Sequence, residues 1–366
     1  MTKDGTLRRR RRRAAVAGVR SPGATAPALV LLLATAAAAA PCGGKCTLAV
    51  SAADDLQQAI ARAPADRRAV VCLGAGEFRL RGFVAIDRDD VTLRGAGSAT
   101  VLRLDEGVES PIIVVGDYAH ATPRAITANV TIENLRIVGG GHGGSEFDPA
   151  HPYLTNSAVV VRAGRNVRIR DLHLTACRSA CILTERGTRG VSIEHNRIGN
   201  AVWDGISLNR TWKARVLRNT IRRDTAAGIT AEHLESSLIA ANVLRENRTH
   251  GIYLSDSARN SIRRNRFVRN VLSGVFLTCA VRRREPPVRC WRDSMSRDNV
   301  FERNAFLDNR IAFMVAADRA ADCRSRSFVP NRSRDDRFRG NARVAPDAAR
   351  HGPCLRLLTK FAVGGG

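Results

Sequence analysis

Two adjoining stretches of equal length decide the fold: ARVLRNTIRRDTAAGITAEHLES at residues 214–236 and SLIAANVLRENRTHGIYLSDSAR at residues 237–259. Aligned without a gap, they share an Asn at the sixth position and a Gly at the fifteenth. Both residues recur at steps of 23 in the flanking sequence, at Asn196, Asn219, Asn242 and Asn265, and at Gly205, Gly228, Gly251 and Gly274. A fixed period of 20–50 residues is typical of a solenoid.

The local pattern within each repeat indicates strands rather than helices. After each Gly comes a short run of alternating side chains, as at Ile206–Leu208 and Ile252–Leu254, and aliphatic residues flank each Asn. Alternation with period two is typical of a half-buried strand. The pattern therefore predicts three short strands per coil, with successive coils stacked in parallel about 4.8 Å apart. The Asn side chains would form a buried ladder that satisfies the backbone groups of a turn.

Both ends of the repeat region differ from its middle. The stretch DDLQQAIARA at residues 54–63 places Leu56, Ala59, Ile60 and Ala63 on one helical face, which predicts a helix that covers the open end of the first coil. From residue 319 the pattern gives way to a segment rich in Arg, Asp and Pro. We therefore predict an all-β solenoid at residues 42–318, with its cap, followed by an irregular C-terminal cap at residues 319–366.

The N-terminus has the pattern of a targeting segment. A basic run at Arg8–Arg13 precedes 13 apolar residues at Ala28–Ala40, which are too few for a spanning helix and fit a signal peptide. Residues 1–41 are therefore predicted to direct export, so that the mature chain is secreted or periplasmic and has no stable membrane span. Nine cysteines agree with an oxidising compartment.

The spacing of the cysteines predicts specific pairs. Cys279 and Cys290 bracket an insertion rich in Arg and Pro, Cys177 and Cys181 lie four apart, and Cys323 and Cys354 could close the C-terminal segment. One further bridge has three candidate members: Cys42, Cys46 and Cys72. No Cys/His spacing suggests zinc, so we expect no metal site of this kind.

The repeats and the segments before them resemble a known superfamily. The stretch DDLQQAIARA, then GAGEFRL at residues 74–80 and VTLRGAG at residues 91–97, then the repeated N-x-I/F and G-I-x-L elements, are similar to the right-handed parallel β-helix proteins. That superfamily includes pectate lyases, polygalacturonases and mannuronan C5-epimerases. The resemblance covers roughly residues 50–318 and implies the fold, whereas it leaves the activity open.

In this superfamily the saccharide groove usually follows the strand that here begins at each repeated Gly. Outward residues on and beside that strand are therefore the candidates for a site. Two loops would wall this face: residues 139–156 before it, and the Cys279–Cys290 insertion, with its Arg282, Arg283 and Arg284, after it. The predicted substrate-binding residues are Asp204, Asn209, Glu232 and Asp256 on the strands, and Asp148 and His151 in the loop.

Three enzyme motifs of the superfamily can be compared with this chain. Trp203–Gly205 and Thr249–Gly251 resemble two elements of the polygalacturonase site, but Ala226–Ala227 replaces the paired acids, which argues against an inverting hydrolase. Asp148–His151 (DPAH) resembles the epimerase D-P-H motif with one inserted residue. Calcium-dependent lyases cluster carboxylates in the groove, so Ca²⁺ stays open as a cofactor, and no other cofactor is expected.

The remaining enzymatic hypothesis is proton abstraction at C5 of a uronic acid, which needs a cation, a base and an acid. Arg210 could neutralise the sugar carboxylate, His250 or His233 could abstract the proton, and Tyr253 could donate one. Elimination would make the protein a lyase, and reprotonation from the other face would make it an epimerase.

A non-catalytic carbohydrate-binding or cell-surface structural protein is the competing hypothesis. The formal net charge of +25 favours polyanions as partners, unless the Arg residues are scattered and solvated. We expect a monomer that binds an acidic polysaccharide. Nucleic acid is not an expected partner, because the chain is predicted to be exported and shows no aromatic platform for stacked bases.

Overall fold

The computed structural model describes residues 45–316, 323–345 and 352–358. The predicted targeting segment at residues 1–41 lies outside these ranges, as does Cys42. Within them, no helix combines the length and the apolar character needed to cross a membrane.

The described residues form one short α-helix, α1 at Leu56–Arg62, and 34 strands. The strands of the N-terminal coils are β1 Leu48–Val50, β2 Ala69–Leu73, β3 Gly76–Leu80, β4 Val84–Ile86, β5 Val91–Arg94, β6 Thr100–Leu104, β7 Ile113–Val115, β8 Thr127–Ala128, β9 Thr131–Glu133 and β10 Arg136–Val138. Those of the middle coils are β11 Val159–Arg162, β12 Gly164–Arg165, β13 Arg168–Arg170, β14 His173–Thr175, β15 Ile182–Glu185, β16 Ser192–Glu194, β17 Arg197–Gly199, β18 Ile206–Asn209, β19 Arg215–Leu217, β20 Thr220–Arg222, β21 Ile229–Glu232, β22 Leu238–Ala240, β23 Val243–Arg245, β24 His250–Ser255, β25 Ser261–Arg263 and β26 Arg266–Val268. Those of the last coils are β27 Ser273–Arg283, β28 Arg289–Met295, β29 Val300–Glu302, β30 Ala305–Leu307, β31 Ile311–Ala316, β32 Asn331–Arg334, β33 Arg337–Arg339 and β34 Leu355–Leu357.

Three long parallel sheets run along the solenoid, and each regular coil contributes one strand to each. Sheet A has the order β1-β2-β5-β9-β13-β16-β19-β22-β25-β29-β32-β34, and sheet B has the order β3-β6-β10-β14-β17-β20-β23-β26-β30-β33. Sheet C has the order β4-β7-β11-β15-β18-β21-β24-β27, with β31 parallel and β28 antiparallel to β27. The prediction of a parallel β-helix is therefore confirmed.

The core consists of the inward side chains of the three sheets. Equivalent aliphatic residues lie directly over one another, as Val216, Ile239 and Ile262 do in sheet A, and all three are fully buried. Near the C-terminal end the core becomes aromatic, where Phe267 stacks on Phe306 with ring centroids 4.7 Å apart. Because every coil buries a similar apolar set, the hydrophobic effect stabilises the coils jointly rather than one at a time.

Sharp corners between the sheets require an unusual backbone conformation. Between β19 and β20, Arg218 adopts the left-handed conformation with φ of 55°, and Asn219 follows it at once. The equivalent Ala241 and Arg264 do the same, although only Gly adopts that conformation without cost. The hydrogen bonds of the neighbouring Asn offset this cost.

Those Asn residues form the ladder that the sequence predicted. The Asn219 Nδ2 donates to the Asn242 Oδ1 at 3.0 Å and to the Ile193 carbonyl at 2.8 Å, and its backbone N–H donates to the same Oδ1 at 2.9 Å. Asn242 is bonded to the next coil in the same way. Each amide thus satisfies its own corner and the corner of the preceding coil.

Two further ladders occupy the other two corners, and the sequence analysis missed them. One begins at Asp224 and continues through Asn247, Asn270 and Asn309 between sheets B and C. The other passes from Asn260 to Asn299 and Asn331 between sheets C and A. The signal was present in the sequence, since Asn247 and Asn270 are separated by the same 23 residues.

The N-terminal helix is confirmed, and its role is specific. The Asp55 carboxylate accepts a hydrogen bond from the Gln58 backbone and caps the helix, whose buried residues are Leu56, Ala59 and Ile60. Its Gln57 side chain accepts a hydrogen bond from the backbone N–H of Ala85 at 2.7 Å, on the first strand of sheet C. The helix therefore covers the edge of the first strand of sheet C, which would otherwise be free to pair with another chain.

The coils continue further along the chain than the repeat predicted. Strands β32, β33 and β34 stack on the preceding coils, so the expectation of an irregular cap from residue 319 is corrected. Asn331 and Asp336 occupy ladder positions, and the Asp336 Oδ1 accepts two bonds from Asn304. The repeat was hidden there because the step from Asn304 is 32 residues and an Asp stands in place of the Asn.

Four disulfides link the described cysteines. They join Cys46 to Cys72, Cys177 to Cys181, Cys279 to Cys290, and Cys323 to Cys354. Three of these pairs are the predicted ones, and the first shows which two of the candidates Cys42, Cys46 and Cys72 form the further bridge. Disulfides of this number are typical of proteins in oxidising compartments.

Asp224 is the acidic member of the ladder between sheets B and C, whose other members are Asn residues. Its side chain is fully buried, and its Oδ1 accepts the Ala201 backbone N–H at 2.9 Å, whereas no described residue is bonded to its Oδ2. One coil later, the Nδ2 of Asn247 donates to the Asn270 Oδ1. Burial raises the pKa of Asp224 well above its ordinary range. A protonated Oδ2 would therefore supply the donor that Asn supplies elsewhere.

Replacing Asn242 with Ala should destabilise the protein strongly. The change removes the acceptor of two buried donors of Asn219, so we expect a loss of about 3 kcal/mol in the free energy of unfolding. Urea unfolding followed by circular dichroism measures this loss. Asn209→Ala, on an outward position of β18, is the matched control and should cost less than about 1 kcal/mol. Equal losses in the two variants would contradict the ladder's role.

Replacing Asp224 with Asn should stabilise the protein in a pH-dependent way. An acid whose pKa is raised by folding contributes stability that is present below its unfolded pKa and is lost as the pH rises through its folded pKa. The variant keeps the donor without a charge, so we expect it to gain about 1–3 kcal/mol at pH 8 and far less at pH 4. Urea unfolding at both pH values measures the difference, and Asp87→Asn, an exposed change, is the control. A gain of the same size at both pH values would contradict a buried neutral acid.

Candidate functional site

The outer face of sheet C aligns the predicted strand residues in two rows. Ser207, Thr230, Tyr253 and Phe276 are direct partners on β18, β21, β24 and β27. Beside them runs the row that contains Asn209 and Glu232, which are also direct partners. Side chains from coils 23 residues apart in sequence are thereby brought next to one another.

A cleft of about 320 Å³ opens at the end of these rows. Its lining includes Arg210, Glu232, His233 and Tyr253, which are four of the predicted site residues, together with Arg284 and Trp291. The last two belong to the β27–β28 hairpin, which the Cys279–Cys290 disulfide closes. The sequence pointed to this insertion as a wall, but it did not single out Trp291, because a lone Trp in an insertion carries no periodic signal.

The side chains of His233 and Asp256 are in contact at the edge of the cleft. The His233 Nδ1 lies 3.0 Å from the Asp256 Oδ2, and both side chains are partly exposed. When Nδ1 carries the proton that this carboxylate accepts, the Nε2 of a neutral ring keeps its lone pair. A carboxylate that orients an imidazole in this way is the arrangement of a general base.

His250 lies below the surface of the same region rather than in the cleft lining. It is buried, its Nδ1 lies 2.8 Å from the Ser273 Oγ, and its ring packs 4.8 Å from that of Phe276. Burial lowers the pKa of His250 to about 4. The imidazole is therefore neutral at neutral pH, and it supports the ring of Tyr253, whose centroid lies 6.2 Å away.

Tyr253 is held in its protonated form. Burial raises the pKa of Tyr253 above its ordinary value, the negative charge of Glu232 acts in the same direction, and Arg284 acts against both. A phenol that stays protonated can donate a hydrogen bond or a proton to a bound ligand.

Asp204 lies beside the cleft, and its pKa is raised, as that of Tyr253 is. Burial raises the pKa of Asp204 to about 6, in spite of hydrogen bonds from Thr230 and the Ala227 backbone, and the charges of Glu232 and Glu146 raise it further. Glu146 comes from the loop at residues 139–156, so this loop reaches the same face of sheet C.

The predicted loop residues Asp148 and His151 lie elsewhere. The Asp148 Oδ1 accepts the backbone N–H groups of Ala150 and His151 at 2.8 Å, which holds a turn of the loop. The His151 ring packs edge-on against Phe83, with centroids 5.4 Å apart, and lies 6.0 Å from the ring of Tyr153. These two residues cover earlier coils of sheet C and are not among the residues that line the cleft.

The described residues of this site offer a pair of carboxylates to a metal ion rather than a larger ligand set. Within residues 45–316, 323–345 and 352–358, no three His, Cys, Asp or Glu side chains converge on one point. Asp204 and Glu232 are near enough for the charge of one to shift the pKa of the other, and they are the oxygen donors that Ca²⁺ could use here.

The elongated coil stack and its outer cleft define a protein of the right-handed parallel β-helix class. The model of the family described as Periplasmic copper-binding protein (NosD) matches residues 134–324, and the chain belongs to this family. No curated protein matches the chain.

Several solved structures are similar in fold. The A-module of mannuronan C-5 epimerase AlgE6 from Azotobacter vinelandii is 12% identical with a TM-score of 0.51, over 84% of this chain and 94% of that one. DFA-IIIase from Arthrobacter chlorophenolicus A6, without its lid, is 15% identical with a TM-score of 0.55, over 86% of this chain and 92% of that one. The Agl-KA catalytic domain is 12% identical with a TM-score of 0.56, over 85% of this chain and 68% of that one. At these identities the likeness concerns the fold alone.

The charge of Glu232 should add to the effect of burial on the pKa of Asp204. Replacing Glu232 with Gln removes a nearby negative charge, so we expect the pKa of Asp204 to fall from about 6 towards its ordinary value. The carboxyl ¹³C shift of Asp204, assigned with an Asp204→Asn sample, follows this titration by NMR. Glu194→Gln on sheet A should leave the midpoint unchanged. An unmoved midpoint in Glu232→Gln would contradict the proposed coupling.

Proposed function

We propose that the chain is an exported protein that binds an acidic polysaccharide in the sheet C cleft and acts on it as a lyase or C5-epimerase. One observation carries the proposal: Arg210, His233 and Tyr253 line one cleft, so a cation, a base and an acid face the same space. A similar fold in a mannuronan C-5 epimerase module supports this class of substrate. The four disulfides and the family's periplasmic description support export.

In this proposal, Arg210 and Arg284 bind the carboxylate of a uronic acid. Their positive charges stabilise the extra negative charge that develops on the carboxylate when the neighbouring C5 loses a proton. Guanidinium groups suit this role, since they match the planar carboxylate with paired N–H donors. The exposed Trp291 ring, 55% accessible, offers the sugar an apolar surface beside the two arginines.

His233 removes the proton through its free Nε2, and the Asp256 carboxylate stabilises the imidazolium that forms. The electron pair of the broken C5–H bond moves towards the carboxylate carbon. In a lyase this pair then forms the C4–C5 double bond, the C4–O4 bond breaks, and Tyr253 protonates the leaving oxygen. In an epimerase Tyr253 protonates C5 from the opposite face, and no bond between sugars breaks.

His233 fits the role of base better than His250 does. His250 is buried and already lies within hydrogen-bonding distance of Ser273, so it has little access to a substrate in the cleft. His233 lines the cleft directly. Asp204, Asn209 and Glu232 would contact neighbouring sugars on the outer face of sheet C, and Ca²⁺ could assist through the two carboxylates.

Copper binding, which the family description names, finds little support among the described side chains. Copper prefers imidazole and sulfur ligands. The eight described cysteines are all in disulfides, and no three His, Cys, Asp or Glu side chains converge within the described ranges. The residues therefore do not fit a resident copper ion, and no step above uses one.

Non-catalytic binding of the same glycan is the second candidate function. The observation that favours it is the pair of Arg282 and Trp291, where the guanidinium lies 5.2 Å from the centre of an exposed indole ring. A cation beside an aromatic platform suits retention of an acidic sugar without chemistry. The two candidates differ in turnover and not in where the glycan binds.

A polyuronate panel with matched variants tests the proposed chemistry. The mature chain is incubated with several polyuronates, with and without Ca²⁺, while absorbance follows unsaturated product and NMR follows epimerised residues. General acid–base groups contribute roughly 10²–10⁴-fold, so His233→Gln and Tyr253→Phe should each lower turnover by at least about 100-fold while binding is retained. Arg210→Gln should weaken both binding and turnover.

His195→Gln is the matched control, because His195 is exposed at the corner between sheets A and B. It should keep full activity. Binding of a polyuronate without any product would favour the second candidate. Undiminished turnover in His233→Gln would contradict the assignment of the base, and His250→Gln would then be the next variant to assay.

A further inference from the structure

A second basic cleft lies on sheet B, away from the sheet C site. Its volume is about 320 Å³, and the charged residues that line it are His173, Arg197, Arg222 and Arg245. No acidic residue is among its lining residues. Gly199 also lines the cleft, where a side chain would collide with the backbone carbonyl of Arg222 on the next coil.

The parallel register places these residues on consecutive rungs. Arg136, His173 and Arg197 are direct partners on β10, β14 and β17. In the adjacent row, Arg222 and Arg245 are direct partners on β20 and β23. Since rungs lie about 4.8 Å apart, the cationic groups form two short rows rather than a single point.

Three of these arginines, Arg136, Arg197 and Arg222, have no acidic partner in the part of the chain that the structure describes, in contrast to several arginines of sheet A. On sheet A, Glu133 is paired with both Arg94 and Arg170, at 2.5 and 2.6 Å. On sheet B, none of the ion pairs among the described residues includes Arg136, Arg197 or Arg222. The Nε of Arg136 is buried without a hydrogen-bond acceptor.

The carboxylate that pairs with Arg245 is shared among several cations. Glu246 lies 3.2 Å from Arg245, and it is also paired with Arg223 and Arg269 at 3.0 and 2.6 Å. The excess of positive charge also affects His173. Desolvation lowers the pKa of His173, and the charges of Arg136, Arg197 and Arg222 lower it further. Like charges this close repel one another, and a bound anion would relieve that repulsion.

We propose that the sheet B cleft is a second binding site, which anchors an anionic polysaccharide through its carboxylate or sulfate groups. Guanidinium forks bind such oxyanions with paired hydrogen bonds, and two rows of them suit a chain with repeated anionic groups. No Phe, Tyr or Trp lines the cleft, so it has no broad aromatic platform on which nucleic-acid bases could stack. Its apolar lining residues, Leu174 and Ile198, are buried and offer no surface for insertion into a membrane. The inference shares its ligand class with the proposed function and does not depend on turnover at sheet C.

Two probes and two double variants test the site. Affinity for alginate and for dextran sulfate is measured by titration calorimetry in low and moderate salt, in a His233→Gln background that slows turnover. Arg197→Gln/Arg222→Gln should raise Kd about tenfold, as expected for the loss of two charge-assisted contacts. Arg337→Gln/Arg339→Gln removes the same charge from the far end of sheet B and should change Kd less than about twofold.

An equal loss of affinity in the two double variants would overturn the proposal, because polymer binding would then depend on net charge alone. No binding of either polymer, or tighter binding of single-stranded DNA or of anionic vesicles, would also overturn it. As an independent measurement, the pKa of His173 should rise when either polymer binds, since the anion offsets the neighbouring arginines. An unmoved His173 titration at saturating polymer would contradict occupation of this cleft.

The same variants separate this inference from the proposed function. In the catalytically intact protein, Arg197→Gln/Arg222→Gln should leave turnover of short oligouronates unchanged, since sheet C alone would bind them. If the protein showed no turnover on any polyuronate but lost polymer binding only in this double variant, the proposed activity would fail and the sheet B site would stand.

Discussion

The structure depends on the hydrogen bonds that one Asn amide makes at a corner of the coil. Its Oδ1 accepts two N–H groups from the preceding coil, and its Nδ2 donates to the amide of the following coil and to a buried carbonyl. This arrangement lets the chain turn sharply through a left-handed residue, as at Arg218 and Ala241, without leaving polar groups unpaired in the core. Three such ladders, one at each corner, keep the coils in register along the solenoid.

Register is also what creates the candidate sites. A single coil supplies only some of the side chains of each site. When the coils stack without slipping, Arg210, His233 and Tyr253 line one cleft although they lie on different turns of the chain. The same constraint gathers the arginines of sheet B. The repeat supplies the scaffold, and the departures from it, such as the hairpin between Cys279 and Cys290, supply the wall that makes a cleft of an open face.

Much of this architecture could be predicted from the sequence, because a strict period carries positional information. The 23-residue recurrence of Asn219 and Asn242 predicted the stacking, and with it the rows on sheet C. The last coils were not predicted, because Asp336 stands in place of the Asn and lies 32 residues after Asn304.

The candidate site was predicted less completely than the fold. Its strand residues followed from the register, whereas the placement of loop residues such as Asp148 depends on contacts that no local pattern encodes. Asp148 holds a turn of the loop over earlier coils. The burial of His250, which favours His233 as the base, likewise follows from packing against Phe276 and not from spacing. Periodicity therefore predicts which residues share a face, and packing decides which of them a ligand can reach.

Hydroxyl-radical footprinting of the side chains, with and without a saturating oligouronate, tests most directly whether the stacked coils form a glycan site on sheet C. If the sheet C cleft binds the glycan, modification of Tyr253, His233 and Trp291 should fall together when the sugar is added, while that of the exposed His195 stays unchanged. Undiminished modification of all three cleft residues in the presence of a bound sugar would contradict the account.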